Sequence, residues 1–484
     1  MKWQTANDNE RSRQHMERKT YTEHLFRIGK KYKRVTPEGP EEYRRVAEKV
    51  YNSLKNIEFE LEDGLYFDAS IGDQYLRNVR PQLAKYEPGK RPAELLDLSL
   101  YGGNAGIVYY LLNLYQLTED KEVLKTAKEA LALICRDFRS IFTYQHISVP
   151  DAKNGFYFGI GGVGSVIMIA DDVIGDPLYR KTIEEIVDYL DQTKVETEQG
   201  IYWGHQTGLI GDPGVILFLL EAAEKYQLKK AKELALRGGD YIETYREETP
   251  YGIKCDTKPL YGSDCPNYVY GPSGTGFVLT RLYEVSGEEK YLALAKELAE
   301  YLMNLAVQTG DGKLIPYILG EEETIFYVNA CHGPAGTGRF FYTLYRATGE
   351  AVYHDFSIEL CKGVLATGAP TVQGKTLWNN VTYCCGAAGL LHYFISLYIT
   401  EQDAQYLELA KTCGEIILGE KEEDEQEVFW PTAFARIDPQ TVDVKYSFYD
   451  GSTGIATSLI ELYLLLTGQY RIHRLADDPF PEIR

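Results

Sequence analysis

One unit recurs seven times along this chain: a Gly-x-x-Gly turn followed at once by an apolar, aromatic-rich stretch. The turns begin at Gly103 (GNAGIVYYLLNLY), Gly161 (GGVGSVIMIA), Gly211 (GDPGVILFLLEAA), Gly271 (GPSGTGFVLTRLYE), Gly333 (GPAGTGRFFYTLYR), Gly386 (GAAGLLHYFISLY) and Gly451 (GSTGIATSLIELYLLL). Their spacings are 58, 50, 60, 62, 53 and 65 residues. Self-similarity at such a period means stacked supersecondary units, none of which can bury its apolar face alone. Most units have a second half, in which a short turn such as SGEE, TGEA or TEQD leads into an amphipathic helix. KEVLKTAKEALALICRDF, YLALAKELAEYLMNLAV (291–307) and YLELAKTCGEIIL (406–418) carry apolar residues at i, i+3, i+4 with charges between them, the pattern of a helix with one solvated face. The helices behind the glycines carry few charges and belong inside. The pattern predicts an all-α fold, an α/α toroid of seven helical hairpins with a dry inner ring and a wet outer ring.

Length alone suggests about three domains at ~150 residues each. The repeat overrides that and predicts one toroid over residues 96–484. Residues 1–95 are expected to be a partly helical N-terminal extension, with a helix at 40–57 (PEEYRRVAEKVYNSLKNI) and no clear periodicity over 58–95. A net charge of −20 argues against a nucleic-acid partner. No apolar run reaches the ~18 residues of a membrane span, and the first residues lack the apolar stretch of a secretory signal, so a cytoplasmic location is expected. Eight cysteines are too few for a disulfide scaffold, and a reducing compartment favours metal binding or catalysis for them. Residues 1–34 carry ten Lys/Arg and four Asp/Glu, hence +6 against −26 for the remainder. That segment is either a solvated terminus or a contact for an acidic peptide partner.

Chemistry concentrates at two of the turns. Residues 329–338 read NACHGPAGTG and residues 380–389 read NVTYCCGAAG. Inner helices of a ring point their N-termini to one end, so the residues just ahead of the glycines face a common cavity. Cys331, Cys384 and Cys385 then form a candidate zinc site, since zinc takes thiolates and imidazoles and a catalytic site keeps one position open. The free N–H groups of a helix N-terminus favour thiolate there. A thiolate-rich zinc holds an incoming thiol as thiolate while leaving it nucleophilic, whereas zinc hydrolases use His, Asp and Glu. His332, His205 and Tyr270, each ahead of a turn, are the candidates for proton transfer. Asp450 reads as an N-cap carboxylate and Asp212 as structural. Cys135, Cys361 and Cys413 read as core, Cys255 as inert, Cys265 as a thiol near the cavity without a second ligand, and His392 and His354 as packed histidines.

Seven Gly-x-x-Gly hairpins with CHG-x-x-G in the fifth and CCG-x-x-G in the sixth resemble the lanthionine synthetase C family over residues ~95–484. DLSLYGGNAGIVYYLLNLY (97–115) looks like the opening of the cyclase region of the bifunctional class II synthetases, whose dehydratase domain this chain is too short to carry. The resemblance implies a zinc-dependent cyclase, in which a peptide cysteine thiolate attacks dehydroalanine or dehydrobutyrine to leave a thioether ring. The partners implied are a dehydrated precursor peptide and a separate dehydratase. Cys331 matches the family's first zinc cysteine, and Cys384 and Cys385 match its Cys-His pair with Cys in place of His, like a subgroup with a more reactive metal. His332 falls where Tyr or His is usual. Three positions depart from the pattern: Tyr270 stands where histidine is common, Thr207 where aspartate is, and Tyr327 where arginine is.

Other readings stay open at this level: a transferase adding a free thiol such as glutathione, or a non-catalytic peptide-binding scaffold with a structural zinc. A glycosidase on the same toroid needs two opposed carboxylates, and only Asp212, Asp264 and Asp450 lie near the turns.

Overall fold

The computed structural model describes residues 31–481 apart from 62–63, 70–95, 143–152, 260–261, 321–323, 374–376 and 436–437. The basic segment therefore lies, up to residue 30, outside the described residues, as does most of 58–95. Helix α1 (Glu41–Leu54) is followed by six helical hairpins: α2–α3 (Asn104–Thr118, Lys121–Asp137), α4–α5 (Ile160–Ile174, Pro177–Thr193), α6–α7 (Asp212–Tyr226, Lys229–Ile242), α8–α9 (Pro272–Ser286, Glu289–Leu305), α10–α11 (Pro334–Thr348, Ala351–Ala366) and α12–α13 (Ala387–Glu401, Ala404–Glu420). A last helix, α14 (Ser452–Leu466), completes the inner set. Short antiparallel hairpins such as Val195–Thr197 with Gly200–Tyr202 connect several outer helices to the next turn.

The inner helices pack each on the next, and α14 packs back on α2, which closes the ring. Burial follows the sequence pattern. Helix α2 is buried at every position from Asn104 to Leu114, whereas α1 buries Tyr43, Val46, Ala47, Val50 and Leu54, one face of a helix. Outer helices α3, α5 and α13 are capped by side chains, with Asp120, Asp176 and Asp403 accepting from the amide two residues on. Inner helices are capped by glycine alone.

Two expectations need correction. The seventh outer helix does not follow the seventh inner one. After α14 the chain lacks a helical apolar pattern, and α1, from the region set apart as an extension, covers α14 instead. Tyr110 Oη donates to the Ala47 carbonyl (2.8 Å) and Ser53 Oγ to that of Val428 (3.0 Å), fixing it there. The second turn also starts two residues earlier than expected, with Gly159 as N-cap and Gly162 as its second glycine.

Space is what these glycines provide. In each repeat the preceding loop wraps over the helix start, so that a Cβ on Gly103 would lie 2.2 Å from the Asp97 carbonyl oxygen and one on Gly454 1.8 Å from that of Phe448. Gly103 itself is extended, with φ −113°. We expect Gly454→Ala to destabilise the fold by about 1–3 kcal/mol or more through overpacking against rigid backbone, read as a lower urea midpoint. Gly39→Ala, with nothing within 4 Å, should stay within about 0.5 kcal/mol of wild type.

In the C-terminal segment, residues 473–478 run inside the inner ring. Its partners include Tyr109 (Oη to His473 O, 2.6 Å), Ser165 (Oγ from Ala476 N, 3.4 Å), Arg339 (Nη1 to Asp477 Oδ2, 2.7 Å) and His392 (Nε2 to Asp478 Oδ2, 2.9 Å). These four occupy the sixth residue of α2, α4, α10 and α12, the same height below the turns. The segment is thus a floor across the bore, roughly 7 Å beneath the helix N-termini at 1.5 Å per residue.

Candidate metal centre

Residues one to three positions ahead of the N-cap glycines build a second, smaller ring of backbone. Tyr101 N donates to Tyr157 O (2.9 Å), Ile210 N to Val269 O (3.1 Å), Val269 N to Cys331 O (3.1 Å), Cys384 N to Tyr449 O (2.7 Å) and Tyr449 N to Tyr101 O (3.2 Å). Phe156 N joins the second loop to the third through Leu209 O (2.7 Å). Between the fifth and sixth loops, which also pair as parallel strands through Phe326–Tyr327 and Leu377–Trp378, the contact beside the turns is made by thiols. Cys331 Sγ lies 3.6 Å from Cys385 Sγ and 3.5 Å from the Cys384 carbonyl oxygen, and Cys385 Sγ lies 3.5 Å from Cys384 Sγ.

Adjacent cysteines converge because the loop ahead of them is tied. Asn380 Oδ1 accepts from Thr382 N (2.8 Å) and Thr382 Oγ1 (2.9 Å), Asn380 N donates to Cys385 O (2.9 Å), and Cys385 N donates to Thr382 Oγ1 (3.3 Å). This splays the two side chains to one side. The three sulfurs lie within 4.8 Å of one another, Cys331 and Cys384 buried and Cys385 half-buried. Burial pushes the Cys331 thiol well above its usual range, and the hydrogen bond with Cys331 together with burial raises Cys384. Three packed thiols cannot all ionise without a cation among them, and a soft divalent ion coordinated by them is what that donor set fits.

Beside the sulfurs stands an aromatic box. His332 stacks on Tyr270 (centroids 4.7 Å, 6°), with Tyr317 and Tyr327 edge-on at 4.4 and 5.2 Å. Its Nδ1 has no hydrogen-bond partner among the described residues, and burial alone lowers the imidazole to about 3, keeping it neutral. Tyr270, also buried, has its phenol raised well above the ordinary value by desolvation, with the Cys384 and Cys331 sulfurs as neighbouring charges. Structure thus brings His332 and Tyr270 together with the cysteines.

His205 is not brought there. It is exposed, has φ +55°, and meets Tyr241 Oη (3.2 Å) and the rings of Tyr202 and Tyr245 beside outer helix α7. Asp212 holds that loop in place, accepting from the amides of Trp203 (2.9 Å), Gly204 (2.7 Å) and Gln206 (3.3 Å), a structural role. Thr207 pairs reciprocally with Thr257, each amide donating to the other's hydroxyl at 2.9 Å. Asp450 is not a cap: Gly451 is the N-cap residue, and the Asp450 carboxylate accepts from Tyr101 Oη at 2.9 Å and lies 3.5 Å from Lys445 Nζ. Tyr101 was not singled out by sequence, although it occupies the same offset from its glycine as Cys331 and Cys384 do from theirs; its hydroxyl is 3.3 Å from Cys384 Sγ. His392, read as packed, is an ion-pair member: despite the opposing effect of burial, Glu461 and Asp478 raise it to about 9.

Comparisons with known proteins agree with this architecture. The family model described as lanthionine synthetase C-like protein matches residues 94–470. Glutathione S-transferase LANCL1 of Danio rerio is 22% identical over 410 residues, covering 82% of this chain and 89% of the relative. Among solved structures, nisin cyclase superposes with a TM-score of 0.54 at 14% identity, covering 80% of this chain and 94% of that one, a likeness of fold. No helix among the described residues is long and apolar enough to cross a membrane.

Proposed function

The chain belongs to the lanthionine synthetase C-like family, and from that premise we propose that it is a zinc-dependent lanthipeptide cyclase acting in the cytoplasm on a dehydrated precursor peptide made by a separate dehydratase. The observation that carries this reading is the convergence of Cys331, Cys384 and Cys385 within 4.8 Å at the end of the ring where the helix N-termini gather. These three residues would hold the zinc ion, which when bound supplies the charge that keeps an incoming thiol ionised.

The reaction breaks the substrate's S–H bond and the carbon–carbon π bond of dehydroalanine or dehydrobutyrine, joins the sulfur to the β-carbon, and puts the thiol's proton on the α-carbon. His332 and Tyr270 are the groups of this chain suited to hold and deliver that proton. His332 Nδ1 has no competing partner among the described residues, and the stacked Tyr270 ring fixes the plane of the imidazole. Tyr317 and Tyr327 wall the same side and keep water away. His205, on the outer side beside Tyr241, has no part in this assignment. The floor formed by residues 473–478 makes the cavity a cup open at the turn side, so the peptide enters from that side.

His332→Ala is expected to slow ring formation about 100-fold, the low end of a general acid–base contribution, with zinc content unchanged. The test is single-turnover mass spectrometry on a dehydrated peptide carrying one cysteine. Cyclisation leaves the mass unchanged and removes the alkylatable thiol. A product heavier by one added small thiol would assign intermolecular transfer instead, and unaltered substrate with zinc-loaded enzyme would support a scaffold.

A further inference from the structure

We infer that Tyr101, anchored by Asp450, is a positioning residue for the Cys384 sulfur at the metal centre, an inference that rests on the metal reading above. Three sets of contacts hold Tyr101 in place. Its backbone is part of the small ring, through Tyr101 N to Tyr157 O (2.9 Å) and Tyr449 N to Tyr101 O (3.2 Å). Its aromatic ring lies between Tyr449 (centroids 5.1 Å, 8°) and Phe158 (4.6 Å, 40°). Its hydroxyl stands 2.9 Å from Asp450 Oδ1 and 3.3 Å from Cys384 Sγ.

Cys384 is reached through the same residues, because its amide donates to Tyr449 O at 2.7 Å. The first loop of the toroid thereby meets the sixth across the seventh. The other two sulfurs are approached by thiols and a carbonyl, so Cys384 is distinguished by a hydroxyl with a fixed direction. Asp450 sets that direction, and Lys445 Nζ, 3.5 Å from its other oxygen, offsets a negative charge that would otherwise stand beside the thiolates. The single hydroxyl proton is shared between Asp450 Oδ1 and the Cys384 sulfur; its share on a ligating sulfur orients the lone pairs and steadies the charge there, and loss of such an outer partner costs a metal site about 10- to 100-fold in affinity.

Tyr101→Phe keeps the stacked ring and removes only the hydroxyl. We expect its zinc affinity, measured by chelator competition, to fall about 10-fold, the thiolate-to-metal absorption band of the cobalt-substituted protein to shift, and the melting temperature of the metal-free protein to stay near wild type. Asp450→Asn retains an acceptor and should lie closer to wild type than Tyr101→Phe in both metal readouts. Unchanged zinc affinity and cobalt spectrum in Tyr101→Phe would overturn the inference while leaving the metal reading intact. Wild type that takes up neither zinc nor cobalt would overturn both. Should Tyr101→Phe fail to fold, Asp450→Ala, which keeps the hydroxyl but removes what sets its direction, is judged by the cobalt band: a shifted band supports the inference and an unchanged one overturns it.

Discussion

Cys331→Ala protein should purify folded, without zinc, and form no thioether above the uncatalysed background. Structural zinc sites bind with about 10–16 kcal/mol spread over four ligands, so removing one of three protein thiolates should weaken zinc at least about 100-fold. Cys331 is the residue to choose because it is the fifth loop's contribution to a thiol cluster otherwise built by the sixth, and the two loops stay joined without it through the pairing of Phe326–Tyr327 with Leu377–Trp378. Folding does not depend on the thiol contact. The inner helices close the ring by packing, and backbone hydrogen bonds link the remaining loops around to Tyr101. Elemental analysis and far-ultraviolet circular dichroism on the same sample separate loss of metal from loss of fold. Wild-type zinc content in the variant would remove Cys331 from the ligand set. A zinc-free variant that still cyclises at the wild-type rate would end the thiol-activation mechanism.

The second large effect lies below the site. Arg339 Nη1 meets Asp477 Oδ2 at 2.7 Å with side chains 4% and 1% exposed. Tyr157 Oη donates to the same Asp477 oxygen at 2.7 Å. Burial pushes the Asp477 carboxyl upward, and the Arg339 charge opposes it. Arg339→Met removes the cation and leaves the carboxylate in the bore. Neighbouring cations are already engaged, since Arg474 and His392 both face Asp478. Breaking a buried pair on one side costs about 3–5 kcal/mol, so the variant's urea midpoint should fall accordingly. Removing both charges, Arg339→Met with Asp477→Leu, should recover much of that loss. The Tyr157 hydroxyl would then lack its acceptor, at about 1–3 kcal/mol. A loss below about 1 kcal/mol for Arg339→Met, the range of exposed pairs, would mean that water reaches the bore and the C-terminal segment is not a closed floor.

How much of this was legible varies with the range of the interaction. The seven inner helices were legible because their burial is a local pattern, and so were the three cysteines, whose offset from the glycines repeats from loop to loop. The second turn was misplaced by two residues because GIGGVG (159–164) offers several glycines. Which one caps the helix depends on where the loop backbone lies, 2.5 Å from a Cβ on Gly159 and 2.1 Å from one on Gly162. His205 was selected for its position ahead of the third turn. The loop, held by Asp212, carries it outward to Tyr241, and nothing in a linear spacing distinguishes the two directions. Tyr101 went unnoticed because tyrosine is frequent, 39 residues in the chain, and most are packing groups.

The amino-acid sequence by itself determined the repeat, the all-helical toroid and the thiol set, because periodic burial and glycine spacing act over a few residues. Tertiary structure decided how the ring closes and what surrounds the metal centre. Helix α1 covers α14 from the far end of the chain, residues 473–478 cross the bore, and Asp450 turns from the helix start toward Tyr101. Each of these includes a contact between groups more than 300 residues apart. No local propensity encodes such pairings; they follow from the requirement that buried apolar faces be covered and buried polar groups be paired.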